Sequence, residues 1–340
     1  VADGKGNELK NGVSIYDVGA PQSRVARILK FSKIIYKKAL SLNSDVYHLH
    51  DPELLPIGLK LKAKGKIVIF DAHEDFPKQI LAKPYLHQNI RKLVSFIASI
   101  YEKYAVKKLD AVVAATPFIR DKFIHIGVQC VDVNNFPKLD ELYVSDIQWS
   151  DKKNHVCYIG GLSKVRGISE IVDAIELSRS NAKLVIGGKF SESVFETHVK
   201  TKKGWEKVED MGWLRREQVN NVLNRSRAGL VTLHPIVNYL DALPVKMFEY
   251  MACGIPVIAS NFPLWKSIIE DNNCGVVVDP LNVSDISKAI DYIILNPKIA
   301  EELGKNGQVA VRNKYNWSIE SAKLFALYEQ FSISNRAIKP

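Results

Sequence analysis

The chain has 340 residues, 46% hydrophobic and 25% charged. That is the profile of a globular protein long enough for two domains with buried cores. No apolar run approaches the roughly 20 residues that a membrane-spanning helix needs, and no signal-peptide pattern opens the sequence. The net charge of +10 is uneven: residues 1–145 hold 22 Lys and Arg against 15 Asp and Glu, and residues 146–340 hold 25 against 22. A basic first half suits an anionic surface or a phosphorylated partner, or serves solubility alone. No nucleic-acid module is visible and aromatics rarely interleave with the basic residues, so nucleic acid is not expected as a partner. Cys130, Cys157, Cys253 and Cys274 are widely spaced in apolar contexts with no C-x-x-C pair. Neither a zinc site nor a disulfide framework is indicated, and a reducing cytoplasm is the expected compartment.

In chain order, residues 1–11 read as a loop, Val13–Val18 as a strand and Arg24–Leu42 as a helix whose apolar positions include Ile28, Leu29, Phe31, Ile34, Ile35 and Leu40. Val46–His50 is a strand and Leu54–Lys64 a helix. Lys66–Phe70 is an apolar strand that ends at Asp71-Ala72-His73-Glu74-Asp75. A long helix covers Asn89–Lys108, Ala111–Ala115 is a strand, Thr116-Pro117 opens a helix, and Gln129–Val133 closes this half. Asp140–Asn154 is polar and without period, the expected linker. The alternation then restarts, with strands at His155–Ile159, Lys183–Ile186, Val208–Met211, Gly229–Leu233, Pro256–Ala259 and Gly275–Val278. Helices at Val283–Leu295, Ile299–Tyr315 and Ser318–Phe331 end the chain. Apolar strands alternating with helices predict parallel α/β sheets. Two such halves, 1–145 and 152–315, predict two Rossmann-like domains with a ligand cleft between them. The last helix, within 316–340, is expected to return to the first domain.

Four regions carry candidate chemistry, the first of them a pair of strand ends. His48, His50 and Asp51 stand at the end of one strand, and Asp71, His73, Glu74 and Asp75 at the end of another, the edge that faces ligand in parallel sheets. A metal site is the rival reading of these clusters, but neither a helical H-x-x-x-H nor a D-x-D spacing occurs. Tyr158-Ile-Gly-Gly-Leu-Ser-Lys-Val-Arg-Gly167 lies between a strand and a helix. There Gly160 and Gly161 allow close backbone approach while Lys164 and Arg166 offer cations; the alternative is a plain turn with exposed basic residues. Met211-Gly-Trp-Leu-Arg-Arg-Glu217 is the third stretch.

The fourth is Asp241-Ala-Leu-Pro-Val-Lys-Met-Phe-Glu249, followed by a Gly-Ile-Pro turn and Val257-Ile-Ala-Ser260. Pro244 suits the first turn of a helix that Gly254 ends. The unpaired N–H groups of that first turn form an anion site for a diphosphate. Asp241 before the helix and Glu249 along it place a carboxylate for each hydroxyl-bearing arm of a nucleoside diphosphate sugar. The alternative is an amphipathic helix with a solvated Glu249.

This last stretch resembles the E-x7-E region of retaining GT-B glycosyltransferases of family 4, with Asp241 in place of the first Glu. The resemblance covers nearly the whole chain, Leu230-Val-Thr-Leu-His-Pro235 included. It implies a GT-B fold of two facing Rossmann-like domains and retaining, metal-independent sugar transfer from a UDP- or GDP-type donor, with no cofactor. It implies a saccharide or lipid-linked acceptor in surface-polysaccharide synthesis. In such enzymes the leaving phosphate takes the acceptor's proton, so no protein nucleophile is needed. Carried over, His73 meets the donor sugar and phosphate, Asp241 holds the sugar and Glu249 the ribose. Arg166, Lys246 and the amides at Leu243, Pro244 and Val245 face the leaving diphosphate. The turn Gly212, Trp213, Leu214 lies by the base, where Trp213 stacks on it or else fills the core. His48, His50, Asp51, Glu74 and Asp75 fall on the acceptor side. Where the family has a Gly-Arg pair this chain has Gly160-Gly161, and Arg166-Gly167 stands for its Lys-Gly; Lys164 or Lys246 is the candidate substitute for the missing cation. A domain of this family opens with a strand, a Gly-rich loop and a helix, and the chain starts after the place where they are expected.

Three rival readings accompany this one: a GT-B nucleotide-sugar epimerase, a non-catalytic partner subunit, and a Rossmann dehydrogenase. The last lacks its G-x-G-x-x-G after a first strand. The segment Lys78–Lys108 carries Lys78, Lys83, Arg91, Lys92, Lys103, Lys107 and Lys108 against Glu102 alone. Two readings of it stand: a core helix with solvated lysines, or a face for peripheral contact with the anionic inner leaflet of a membrane.

Overall fold

The computed structural model describes residues 3–23, 26–81, 87–142 and 148–337. Arg24, the side chains of Ile28 and Leu29, Lys83, and 143–147 of the expected linker lie outside the described residues. The chain divides into two compact units, residues 1–133 with 323–340, and residues 134–322.

In the first unit, Glu8–Lys10 (β1) and Val13–Ile15 (β2) form an antiparallel hairpin. This corrects two expectations: part of the opening loop is a strand, and β2 joins no parallel sheet. The cause is the Asn11-Gly12 turn, both residues at positive φ (52° and 80°), the geometry of a two-residue hairpin turn. The main sheet is four-stranded and parallel, β3 (Val46–Leu49), β4 (Ile67–Ala72), β5 (Ala111–Ala114) and β6 (Cys130–Asp132) side by side in that order. Successive side chains of a strand serve opposite faces. Val68, Phe70, Val112 and Ala114 pack on one face with Leu55, Leu61 and Phe123. Ile69, Ala111 and Val113 pack on the other with Leu324, Leu327 and Tyr328 of the final helix, Trp317–Ala337.

The helix Gln88–Val106 is not a core helix with solvated lysines. Its buried residues are Ser95, Glu102, Ala105 and Val106, and its large apolar side chains are exposed. Glu102 is held by Lys122 at 2.6 Å, and Lys122 also reaches Asp75 at 3.0 Å.

The second unit holds a six-stranded parallel sheet of β7 (His155–Ile159), β8 (Lys183–Gly187), β9 (Val208–Asp210), β10 (Ala228–Val231), β11 (Val257–Ser260) and β12 (Gly275–Val278). Their order across the sheet is β12-β11-β10-β7-β8-β9. The chain reverses its direction of winding between β7 and β10, and the carboxyl ends of those two strands frame the crevice where doubly wound sheets take ligands. Cys157, Val231 and Val257 pack below one face with Phe248, Tyr250 and Trp265. Val156, Tyr158, Leu230 and Ile258 pack on the other with Ile171, Ile286 and Ile290. Phe136, edge-on to Phe248 with ring centroids 4.6 Å apart, places the stretch after residue 133 with this unit. Lys152, within the expected linker, is buried and donates to the carbonyls of Asn224 and Ser226, where the helix Arg216–Arg225 ends.

Candidate functional site

Two clusters stand at strand carboxyl ends, one in each unit. In the second unit the site is built on the turn after β7. Gly160 has φ +137°, and a Cβ there would lie 3.0 Å from Lys246 Nζ. A Cβ on Gly161 would lie 2.7 Å from Arg166 Nη1, which donates to the Gly161 carbonyl at 3.2 Å. The glycine pair therefore makes room for two cations that arrive from elsewhere in the chain. Arg166 folds back from the short turn Lys164–Arg166, and Gly167, at φ +73° against the Thr232 carbonyl, redirects the chain into the helix Ile168–Leu177. Lys164 is exposed and is not among the groups gathered at the glycines. Where the resemblance expects an Arg side chain at position 161, the guanidinium of Arg166 fills the space.

Lys246 comes from the helix Val245–Ala252. Pro244 is its N-cap in extended conformation, one position earlier than its expected place inside the first turn, and Gly254 at φ +62° closes its end. Lys246 and Tyr250, four apart, share the face turned to β7. Tyr250 Oη accepts the Ile159 N–H at 3.1 Å, its ring seated where Gly229 lacks a side chain. Lys246 Nζ lies 3.8 Å from the Tyr158 ring centroid and is buried with no hydrogen-bond partner among the described residues. Burial, with Arg166 adding repulsion, pushes its ammonium down to about 7. The loop after β10 closes the other side, His234 N–H donating to the Val165 carbonyl at 3.0 Å, with His234 Nε2 3.2 Å from Glu170.

Glu249 projects from the same helix on the face of Val245. Arg216 Nη1 donates to Glu249 Oε1 at 2.7 Å, and Arg216 Nη2 lies 3.6 Å from Glu141. Val245, Glu249 and Arg216 line a cavity of about 260 Å³ with Phe136, Lys138 and Trp317. Asp241 is half-buried and ends the short helix Val237–Leu240. The segment after it is pinned by Trp265 Nε1, which donates to the Ala242 carbonyl at 2.6 Å, and by Leu243 against the core. Pro244 offers no N–H, and the Met247 N–H is taken by the Pro244 carbonyl, so Val245 and Lys246 carry the amides at the helix tip. The Gly212–Leu214 turn has Gly212 at φ +58°. Leu214 packs over Gly187, while Trp213 is 80% exposed, which removes the core-filling reading of Trp213.

In the first unit the hub is Asp71. Parallel register sets Leu49 beside Phe70, so the residues after β3 stand beside the end of β4. Asp71 lies 3.5 Å from His48 Nε2, 3.1 Å from His50 Nδ1 and 3.4 Å from His73 Nδ1. Burial pushes the Asp71 carboxyl up, but the hydrogen bonds of His48 and His50 and the charge of His73 outweigh it and hold the group well below the usual carboxylate range. In turn the Asp71 hydrogen bond pushes His50 up. His48 is fixed on its other side by the Tyr328 hydroxyl at 2.7 Å. His50, Asp71, His73 and Glu74 line a cavity of about 240 Å³. Asp51 borders it but pairs with Arg27, Glu74 accepts from Gln79, and Asp75 turns away to Lys122.

Donor atoms of His48, His50 and Asp71 lie within 4.8 Å of one another, close enough to be considered for a metal ion. The His48 and His50 rings, however, are stacked face to face, 4.8 Å apart and 9° from parallel. A single ion in the plane of both rings does not fit that arrangement.

Comparison with known families decides the class. Residues 141–310 match the glycosyl transferases group 1 family, and residues 2–134 match Glycosyltransferase Family 4. The chain belongs to the group 1/family 4 glycosyltransferases. Alpha-D-kanosaminyltransferase of Streptomyces kanamyceticus is 21% identical over 276 residues, 75% of this chain and 70% of that protein. Among solved structures, sucrose-phosphate synthase of Thermosynechococcus elongatus superimposes with TM-score 0.72 at 19% identity, covering 96% of this chain and 83% of that one. HepE of Anabaena in complex with UDP-glucose gives 0.71 at 16%, covering 93% and 86%. These likenesses establish the GT-B glycosyltransferase fold.

Within this glycosyltransferase, the glycine turn and the helix tip are brought together as the motifs imply. Sequence reasoning missed Arg216, which holds Glu249, and the role of Asp71 as the anion shared by three histidines. Register alone pointed to Asp71, since it stands at the end of the strand beside His50. No local pattern marks Arg216, which comes from the start of a surface helix.

Proposed function

We propose that this glycosyltransferase is retaining and moves a sugar from a UDP- or GDP-type nucleoside diphosphate donor to a saccharide or lipid-linked acceptor in surface-polysaccharide synthesis. One observation carries the reading: Arg166 and a Lys246 whose buried Nζ has no hydrogen-bond partner among the described residues converge under two adjacent glycines at the switch point of a doubly wound sheet. Two cations beneath exposed backbone, beside the tip of a helix, are matched in charge and spacing to a diphosphate. Glu249 is assigned to ribose hydroxyls, Asp241 to the sugar, Trp213 to the base and His73 to the sugar and its phosphate.

In the proposed reaction the acceptor oxygen bonds to the anomeric carbon as the bond to the diphosphate oxygen breaks. The acceptor's proton passes to the departing phosphate, leaving a glycoside and a nucleoside diphosphate. Lys246, Arg166 and the helix amides stabilise the charge that grows on the leaving group, in a place already desolvated. Protein cations meet that charge, so no metal is required. The test is thermal unfolding with UDP-, GDP-, ADP- and dTDP-sugars. A donor held at one hundred times its Kd stabilises the fold by about 2.7 kcal/mol. Failure of all four to raise Tm would refute the proposal.

A further inference from the structure

We infer that the helix Gln88–Val106 is an interfacial helix that docks this glycosyltransferase onto an anionic lipid bilayer. The helix is packed inside out. Ile90, Leu93, Phe96, Ile97, Ile100 and Tyr104 are each 52–64% exposed. At 100° per residue they and Val94 and Tyr101 cover an arc of about 160° on one side. The opposite side, with Ser95, Glu102, Ala105 and Val106, is the buried one. A helix folding for its own core would be rotated by half a turn. Polar contacts fix it instead as it is: Ser95 Oγ donates to the Pro77 carbonyl at 2.8 Å, and Glu102 is clamped by Lys122.

Charge selects the occupant. Glu102, the one acid in the segment, is buried, so it presents no negative charge outward. Lys92, Lys103, Lys107 and Lys108 are exposed. Lys92 and Lys103 border the apolar arc on the side of Phe96, and Lys107 and Lys108 follow its C-terminal end. Beside Phe96, a cavity of about 380 Å³ is lined by Lys78, Lys92 and Lys122 with Asp75 and Leu81; Lys122 is engaged by Glu102 and Asp75, so Lys78 and Lys92 are the cations that a headgroup phosphate would meet there. A broad apolar stripe with cations along one edge and past its C-terminal end matches acyl chains beneath anionic headgroups. A protein partner would be expected to meet outward acids as well as bases. No helix among the described residues is long and apolar enough to cross a membrane, so the contact lies in the plane of the surface. The inference is independent of the proposed diphosphate site, whose Arg166 and Lys246 belong to the second unit.

The test is co-sedimentation of the full chain with vesicles of phosphatidylcholine alone and with 40% phosphatidylglycerol (about 40 mol%, chosen to give a strongly anionic surface). The protein is expected to pellet with the anionic vesicles at low salt, to be largely released near 1 M salt, and to stay in solution with the neutral ones. Phe96→Ser with Ile100→Ser, and separately Lys92→Glu with Lys103→Glu, should each lower the partition at least tenfold while the circular dichroism spectrum and nucleotide-sugar binding stay unchanged. Phe96→Trp should show a blue-shifted emission on anionic vesicles. Equal recovery in solution with both vesicle types at low salt overturns the inference. So does a stable dimer that the Phe96→Ser, Ile100→Ser variant dissociates, since a second copy would then be the occupant.

Discussion

At the scale of residues, the account turns on a buried lysine. Desolvation beneath Gly160, with repulsion from Arg166, pushes the Lys246 ammonium down to about 7. Below that pH it is charged and ready for an anion. Above it the free protein holds a neutral amine, and diphosphate binding must draw a proton in. Donor affinity should therefore fall as pH rises from 7 to 9, by up to about tenfold per unit. Calorimetry at pH 8 in two buffers of different ionisation enthalpy should register uptake of nearly one proton, and zero uptake would contradict the placement. Glu249→Ala should weaken donor binding about tenfold to a hundredfold with the fold intact, the worth of hydrogen bonds to a charged acceptor. Unchanged affinity would remove the ribose assignment and leave Glu249 as the partner of Arg216 alone. Lys246 was legible as a cation beside an anion site, because a Pro-x-Lys run opens a helix there. Its displaced titration was not, since that depends on Tyr158 and Gly160, which meet it only in the fold.

At the scale of elements, punctuation was easier to read than packing. The start and end of the helix Val245–Ala252 were marked by Pro244 and Gly254, and the helix Val283–Leu295 coincides with its apolar period. Residues 8–15 read as loop and strand although Asn11-Gly12 marks a hairpin, because the flanking strands are three residues each and largely exposed. The period of Gln88–Val106 gave the helix but not its orientation, which a few polar anchors decide. Lys122→Met tests this: at pH 8 it leaves the buried Glu102 carboxylate unpaired, and the chain should lose roughly 3 kcal/mol in urea unfolding. A loss near zero would mean that Glu102 is not what holds the helix. Gly167→Ala should cost on the order of 2–3 kcal/mol, because the φ is +73° and a Cβ would fall 2.1 Å from the Thr232 carbonyl oxygen. An unchanged urea midpoint would show that the turn relaxes.

At the scale of the whole molecule, two α/β units follow from the alternation of apolar strands with helices, and the parallel pairing within each sheet from the helical crossovers between its strands. Which loops meet is a consequence of that pairing. The turn after β7 and the loop after β10 come together because those strands are neighbours, though about 70 residues of chain separate them, an interval no local motif spans. The histidine cluster follows in the same way from the pairing of β3 with β4. In the proposed reading Arg166, Lys246 and the helix amides supply the charge, so donor binding and turnover should survive EDTA. Loss of turnover restored by Mn²⁺ and abolished by His50→Ala would instead assign a metal to His48, His50 and Asp71. The most direct test of the central claim, that the cations beneath Gly160 and Gly161 hold a nucleoside diphosphate sugar, is calorimetric titration of UDP- and GDP-sugars into the wild-type chain and its Lys246→Met variant. The account predicts binding in the range of roughly 1 μM to 1 mM, typical of enzyme substrates, for at least one donor, and at least a tenfold loss in the variant. Equal affinity of the two proteins, or no heat from any donor, would contradict it.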